Sequence, residues 1–113
     1  MRLCWMIVLS AALTPALAMA GQSTPEQLAH GAKVYATQKC MICHSISGQG
    51  NKKLPLDGVG AKLSADAIRD WIVNPVEAAK TANSTAKPVM KAYKMAPADL
   101  DALVAYLKSL DKK

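Results

Sequence analysis

The stretch Cys40-Met41-Ile42-Cys43-His44 carries the densest chemistry of this 113-residue sequence. Two thiols with two residues between them, and an imidazole directly after the second, form the attachment pattern of c-type haem. Each thiol can add across one vinyl group of a porphyrin, and the two-residue gap lets both reach from one turn of chain. The imidazole of His44 then lies under the ring with a nitrogen facing the iron. Two other chemistries use paired cysteines. A structural zinc site takes four ligands, usually from two such clusters, and the only other histidine is His30. A thioredoxin-like redox pair belongs in a βαβ pattern, which this sequence lacks. One covalently attached haem per chain is the better use of these residues.

The elements that position this motif follow a leader. Arg2 gives a short positive start, Leu3 to Leu17 is almost entirely apolar, and Ala18-Met19-Ala20 is a small-x-small cleavage pattern. Residues 1–20 therefore read as a secretory signal peptide, which takes Cys4 with it. The rival reading is an uncleaved membrane anchor, but the apolar run falls short of the ~20 residues that span a bilayer, so cleavage after Ala20 is expected, with no membrane span in what remains. Sec-type export places the remainder in the periplasm. That remainder, residues 21–113, is one small domain with five more basic than acidic residues. A chain so short builds a limited apolar core, and a bonded porphyrin supplies the fixture that small domains need.

The spacing of apolar residues predicts an all-α fold with three main helices. Thr24-Pro25-Glu26-Gln27 is a capped helix start, and Leu28, Ala32 and Tyr35 share one face, so a first helix runs from Pro25 to Gln38 into the motif. Gly31 costs about 1 kcal/mol there, which a closely crossing helix would explain. His30 reads as solvated surface. Residues 45–60 read as loop, with Lys52-Lys53 exposed and Leu54-Pro55-Leu56 returning apolar groups to the interior. Their glycines permit positive φ and form no phosphate-loop pattern. Ser64 caps a second helix with the stripe Ile68, Trp71 and Ile72, ended at Asn74-Pro75. Trp71 is either core or a donor to a haem propionate. A short helical turn is expected around residues 77–80. The last helix runs from Pro97 to about Leu110 on Leu100, Leu103, Val104, Leu107 and Leu110.

The mature chain resembles a class I bacterial cytochrome c. The resemblance runs from Gly31 to Leu110 and rests on Gly31 with Tyr35, Cys40-x-x-Cys43-His44, Pro55, Trp71-Ile72-Val73-Asn74-Pro75, Met90 and Leu103-Val104-Ala105-Tyr106-Leu107. It implies that the first and last helices cross at Gly31 with aromatics packed beside it. It also implies that the Pro55 carbonyl accepts a hydrogen bond from the ligand His44, fixing its tautomer. Two features depart from the family pattern. The aromatic stands five residues before the first cysteine rather than four, and Lys91 and Ala92 replace the prolines that commonly follow the ligand methionine.

A thioether opposite His44 favours ferrous iron and raises the reduction potential. Met95 directly precedes the Ala96-Pro97 helix start, where an apolar residue packs as a staple. Met90 lies in an extended segment that can reach across the haem face, and its distance ahead of Tyr106 suits the family. Met90 is therefore the expected sixth ligand, Met95 its alternative, and core gap-filling the remaining use of both. With both axial positions filled, the resemblance implies an electron carrier rather than an enzyme. Lys33, Lys39, Lys52, Lys53, Lys87, Lys91 and Lys94 would border the haem edge and steer redox partner proteins with acidic docking surfaces. No nucleic-acid partner is expected. The other readings are a haem protein with an open sixth site, peroxidase-like or gas-binding, and the haem subunit of a larger oxidoreductase complex.

Overall fold

The computed structural model describes residues 22–112, so the signal-peptide reading of residues 1–20 lies outside the described residues. The chain runs α1 (Pro25–Thr37), a 3-10 turn (Cys40–Ile42), β1 (Ser45–Ile46), β2 (Gln49–Gly50), α2 (Val59–Lys62), α3 (Ala65–Val73), α4 (Pro75–Thr81) and α5 (Pro97–Lys108). This is the expected all-α architecture, with α1, α3 and α5 as the three main helices.

The helix starts follow from local chemistry. Thr24 Oγ1 accepts from the Gln27 amide at 3.1 Å, and Ser64 Oγ accepts from the Ala67 amide at 3.1 Å. Pro25, Pro75 and Pro97 each occupy a first turn, where the missing N–H costs nothing. Asn74 closes α3 and opens α4 at once, so Pro75 both stops one helix and starts the next.

The core joins Val34 and Tyr35 of α1, Ile68 and Ile72 of α3, and Leu103, Val104 and Leu107 of α5. Val34 replaces Leu28 and Ala32, which are only half-buried, because the face α1 presents to α5 is centred on Gly31. Trp71 is half-buried and stands outside this cluster, so the core reading of Trp71 gives way to Ile68 and Ile72. The crossing of α1 and α5 is tightened by the Tyr35–Tyr106 pair, edge to face at 6.1 Å and 64°. Exposed pairs from His30 to Asp99 and from Arg69 to Asp101, each 2.7 Å, link α1 and α3 to α5 at the surface.

Residues 45–60 are more ordered than a loop. Ser47 (φ 51°) and Gly48 (φ 78°) make a two-residue turn that pairs Ser45 with Gly50 and Ile46 with Gln49. Strands of two residues are too short to show alternation in sequence. Gly58 enters α2 at φ 79°. Gly60 serves another purpose: it lies against the end of α5, its amide donating to the Leu110 carbonyl at 2.8 Å. A Cβ at Gly60 would collide with the Lys108 main chain. Lys108 Nζ in turn donates to the carbonyls of Gly60 (2.6 Å) and Leu63 (3.0 Å), closing the end of α2.

Candidate functional site

After α1 the chain turns at Lys39, whose left-handed φ of 57° starts the 3-10 turn that carries Cys40. The amides of Cys43 and His44 both donate to the Cys40 carbonyl, at 3.2 and 3.0 Å. The two cysteines and the histidine are thereby folded onto one short turn. Both thiols are free, Cys40 half-buried and Cys43 exposed.

His44 Nδ1 lies 3.0 Å from the carbonyl oxygen of Leu54. A carbonyl can only accept, so Nδ1 carries the proton and Nε2 keeps its lone pair for a metal. The expected acceptor was the carbonyl of Pro55, one residue later. The proline ring keeps the residue before it out of helical backbone, and the Leu54 oxygen rather than the Pro55 oxygen meets the imidazole. Leu54 and Pro55 are both exposed, and of the three residues 54–56 only Leu56 packs on the core.

Gly50 and Asn51 support the motif from behind. The Asn51 amide donates to the carbonyls of Met41 (3.0 Å) and His44 (2.9 Å), and Asn51 Nδ2 donates to the Ile42 carbonyl at 3.1 Å. Gly50, at φ 105°, passes so near the His44 carbonyl and the Cβ of Met41 that a side chain there would clash. Neither residue stands out in the sequence; an asparagine among glycines and lysines reads only as loop.

The segment after α4 comes back to the motif. Tyr93 donates its amide to the Ile72 carbonyl at 2.9 Å, and Met90, Tyr93 and Met95 pack half-buried against the core. Burial pushes the Cys40 thiol up, while the Lys91 ammonium works against that shift. Burial likewise raises the Tyr93 phenol, with smaller contributions from Cys40 and Cys43. Lys91 and Tyr93 thus lie within electrostatic reach of the thiols. Both methionines are half-buried, so burial does not choose between them.

This donor set fits a porphyrin with bonded edges: two free thiols on one turn, an imidazole with its proton committed elsewhere, and apolar side chains left at the surface. The last include Ile42 (64 % exposed), Leu54 (43 %) and Val89 (41 %). Among the described residues no cluster of three His, Cys, Asp or Glu side chains is placed to hold a metal ion, which leaves the zinc reading without ligands there. No curated protein and no solved structure matches the chain. The model of the Cytochrome c family matches residues 28–111, from the first helix through the last. With that match spanning most of its length, the chain belongs to the cytochrome c family, as a haem-binding electron-transfer protein carrying one covalently attached haem c.

Proposed function

We propose that the protein is a class I periplasmic electron carrier in which Cys40 and Cys43 hold the haem through thioether bonds, His44 binds the iron from one side and Met90 from the other. The observation that carries this reading is the Nδ1 contact of His44 with the Leu54 carbonyl, which leaves Nε2 as a ready ligand on the same turn as both thiols. The bound haem supplies one-electron exchange between ferric and ferrous iron. Leu54 orients the imidazole and strengthens it as a donor. Asn51 and Gly50 fix the turn that bears the thiols. Met90 is preferred over Met95 because it lies in the extended segment between α4 and α5, free to reach across the haem face, whereas Met95 sits at the entry to α5. Trp71 and Pro55 line the pocket in this reading without binding iron.

The lysines of the sequence reading, from Lys33 to Lys94, are all exposed. They favour partner proteins with acidic docking faces, at rates that fall as salt rises. Export to the periplasm rests on the composition of residues 1–20.

Protein recovered from the periplasmic fraction should give the pyridine haemochrome spectrum of a c-type haem. Met90→Ala should abolish the weak near-infrared sulfur–iron band while Met95→Ala keeps it. A band lost only in Met95→Ala would transfer the ligand role. A second reading, a haem protein with a labile sixth site, draws on the exposure of every residue from Ala82 to Val89. Rapid, complete binding of carbon monoxide to the ferrous protein at neutral pH would favour it over the carrier.

A further inference from the structure

The segment that bears Met90 is held to the rest of the fold at very few points. Among the described residues, the stretch from Thr85 to Met95 makes one bond between main-chain groups, from the Tyr93 amide to the Ile72 carbonyl at 2.9 Å, beside a local one from the Ala86 amide to Ser84 Oγ at 3.3 Å. Upstream of Met90, every residue from Ala82 to Val89 is exposed. A segment with so few main-chain bonds depends on side chains to keep one conformation.

Two side chains supply the missing restraint. Tyr93 packs half-buried against the core, and Lys91 folds back so that its Nζ stands 4.9 Å over the centre of the Tyr93 ring. The ammonium over the ring face is a cation–π contact, and it closes the chain between residues 91 and 93 into a short loop. Met90 departs from that loop. The main-chain bond fixes Tyr93 to α3, and the cation–π contact fixes Lys91 to Tyr93. Met90 therefore leaves from a point held at second hand by α3.

We infer that Tyr93 and Lys91 form a clamp for the sixth ligand, Tyr93 the anchor and Lys91 the latch, and that the clamp sets how readily an outside ligand displaces Met90. They are positioning residues: neither binds the iron. This inference rests on Met90 being the sixth ligand and names what holds it there.

The probe is imidazole, titrated against the haem-loaded ferric protein at about pH 8, where it is largely uncharged and so indifferent to the loss of a lysine charge. Lys91→Gln keeps most of the stem and removes the cation without adding a thioether, and should raise imidazole affinity about two- to fivefold, the range of an exposed cation–π contact. Lys91→Arg keeps a cation for the ring and should return the affinity to the parent value. Tyr93→Phe, with the ring intact, should behave like the parent, and Tyr93→Leu like Lys91→Gln or weaker still in holding Met90. The near-infrared sulfur–iron band of each variant gives an independent readout, fading at lower imidazole in the two loosened variants. Because Lys91 is exposed, Lys91→Gln leaves the packing of the core intact.

If Lys91→Gln takes up imidazole as the parent does, or Lys91→Arg fails to match the parent, the clamp is overturned. Met90→Ala separates this failure from that of the ligand reading. A band that survives Met90→Ala sinks both ideas. A band that Met90→Ala abolishes, alongside parent-like imidazole binding in Lys91→Gln, sinks the clamp alone.

Discussion

Gly31 of α1 and Ala102 of α5 meet main chain to main chain. A Cβ on Gly31 would stand 2.8 Å from the Ala102 carbonyl carbon and 2.5 Å from the Cβ of Tyr106. Gly31→Ala gains about 1 kcal/mol in helix propensity. It also forces a methyl group against backbone that cannot rotate aside, and overpacking of this kind costs about 1–3 kcal/mol. The steric effect should win, since separating the helices also opens the Tyr35–Tyr106 contact and the core beneath it. Guanidinium unfolding should show Gly31→Ala less stable by about 1 kcal/mol, the balance of the two effects. An unchanged or higher midpoint would mean the helices can part without cost.

That crossing is legible in the sequence because a glycine inside an amphipathic helix is expensive and asks for a cause. The helix starts at Thr24-Pro25, Ser64 and Ala96-Pro97 are legible for a similar reason, since caps and first-turn prolines are chemically distinctive. What stays hidden depends on main-chain groups, which every residue carries alike. The acceptor for His44 is the Leu54 carbonyl rather than that of Pro55, and nothing in side-chain identity separates the two. Gly60 looks like a loop glycine and is in fact a contact with the end of α5. The burial of Val34 in place of Ala32 follows from the direction in which α5 crosses, which only the assembled fold fixes.

Asn51 is the residue whose importance the sequence conceals most. Its amide bonds to Met41 and His44 survive any substitution but proline, so Asn51→Ala tests the side chain alone. The side chain gives Nδ2 to the Ile42 carbonyl and takes the Lys53 amide on Oδ1, at 3.1 and 3.0 Å. Two such bonds contribute about 1–3 kcal/mol together, less at an exposed position. Asn51→Ala should lower the unfolding midpoint and reduce the haem-to-protein ratio on co-expression with a maturation system. Asn51→Asp keeps the acceptor for Lys53 but sets a carboxylate against the Ile42 carbonyl, and should be no better than Ala. Parent-like haem content in both variants would show that the turn holds its shape without this side chain.

Tyr35 is 8 % exposed, and its buried hydroxyl has no hydrogen-bond partner among the described residues. An unpaired buried hydroxyl costs about 1–3 kcal/mol, so Tyr35→Phe should match or exceed the parent in stability at neutral pH. Burial also pushes the phenol up to about 12, with smaller contributions from Cys40, Tyr106 and Asp57. Once Cys40 is bonded to haem its thiol no longer titrates, and burial, with Tyr106 and Asp57 behind it, keeps the shift upward. The sign follows from linkage: a raised phenol means the folded state holds its proton longer than the unfolded chain. Stability from this group is whole below the ordinary tyrosine value near 10, and it drains away as the pH climbs towards about 12. Between about pH 9 and about pH 11 the parent should therefore lose more stability than Tyr35→Phe, read from denaturant midpoints at each pH. Equal losses would assign the alkaline weakening to other groups, first among them Tyr93, whose phenol burial also raises.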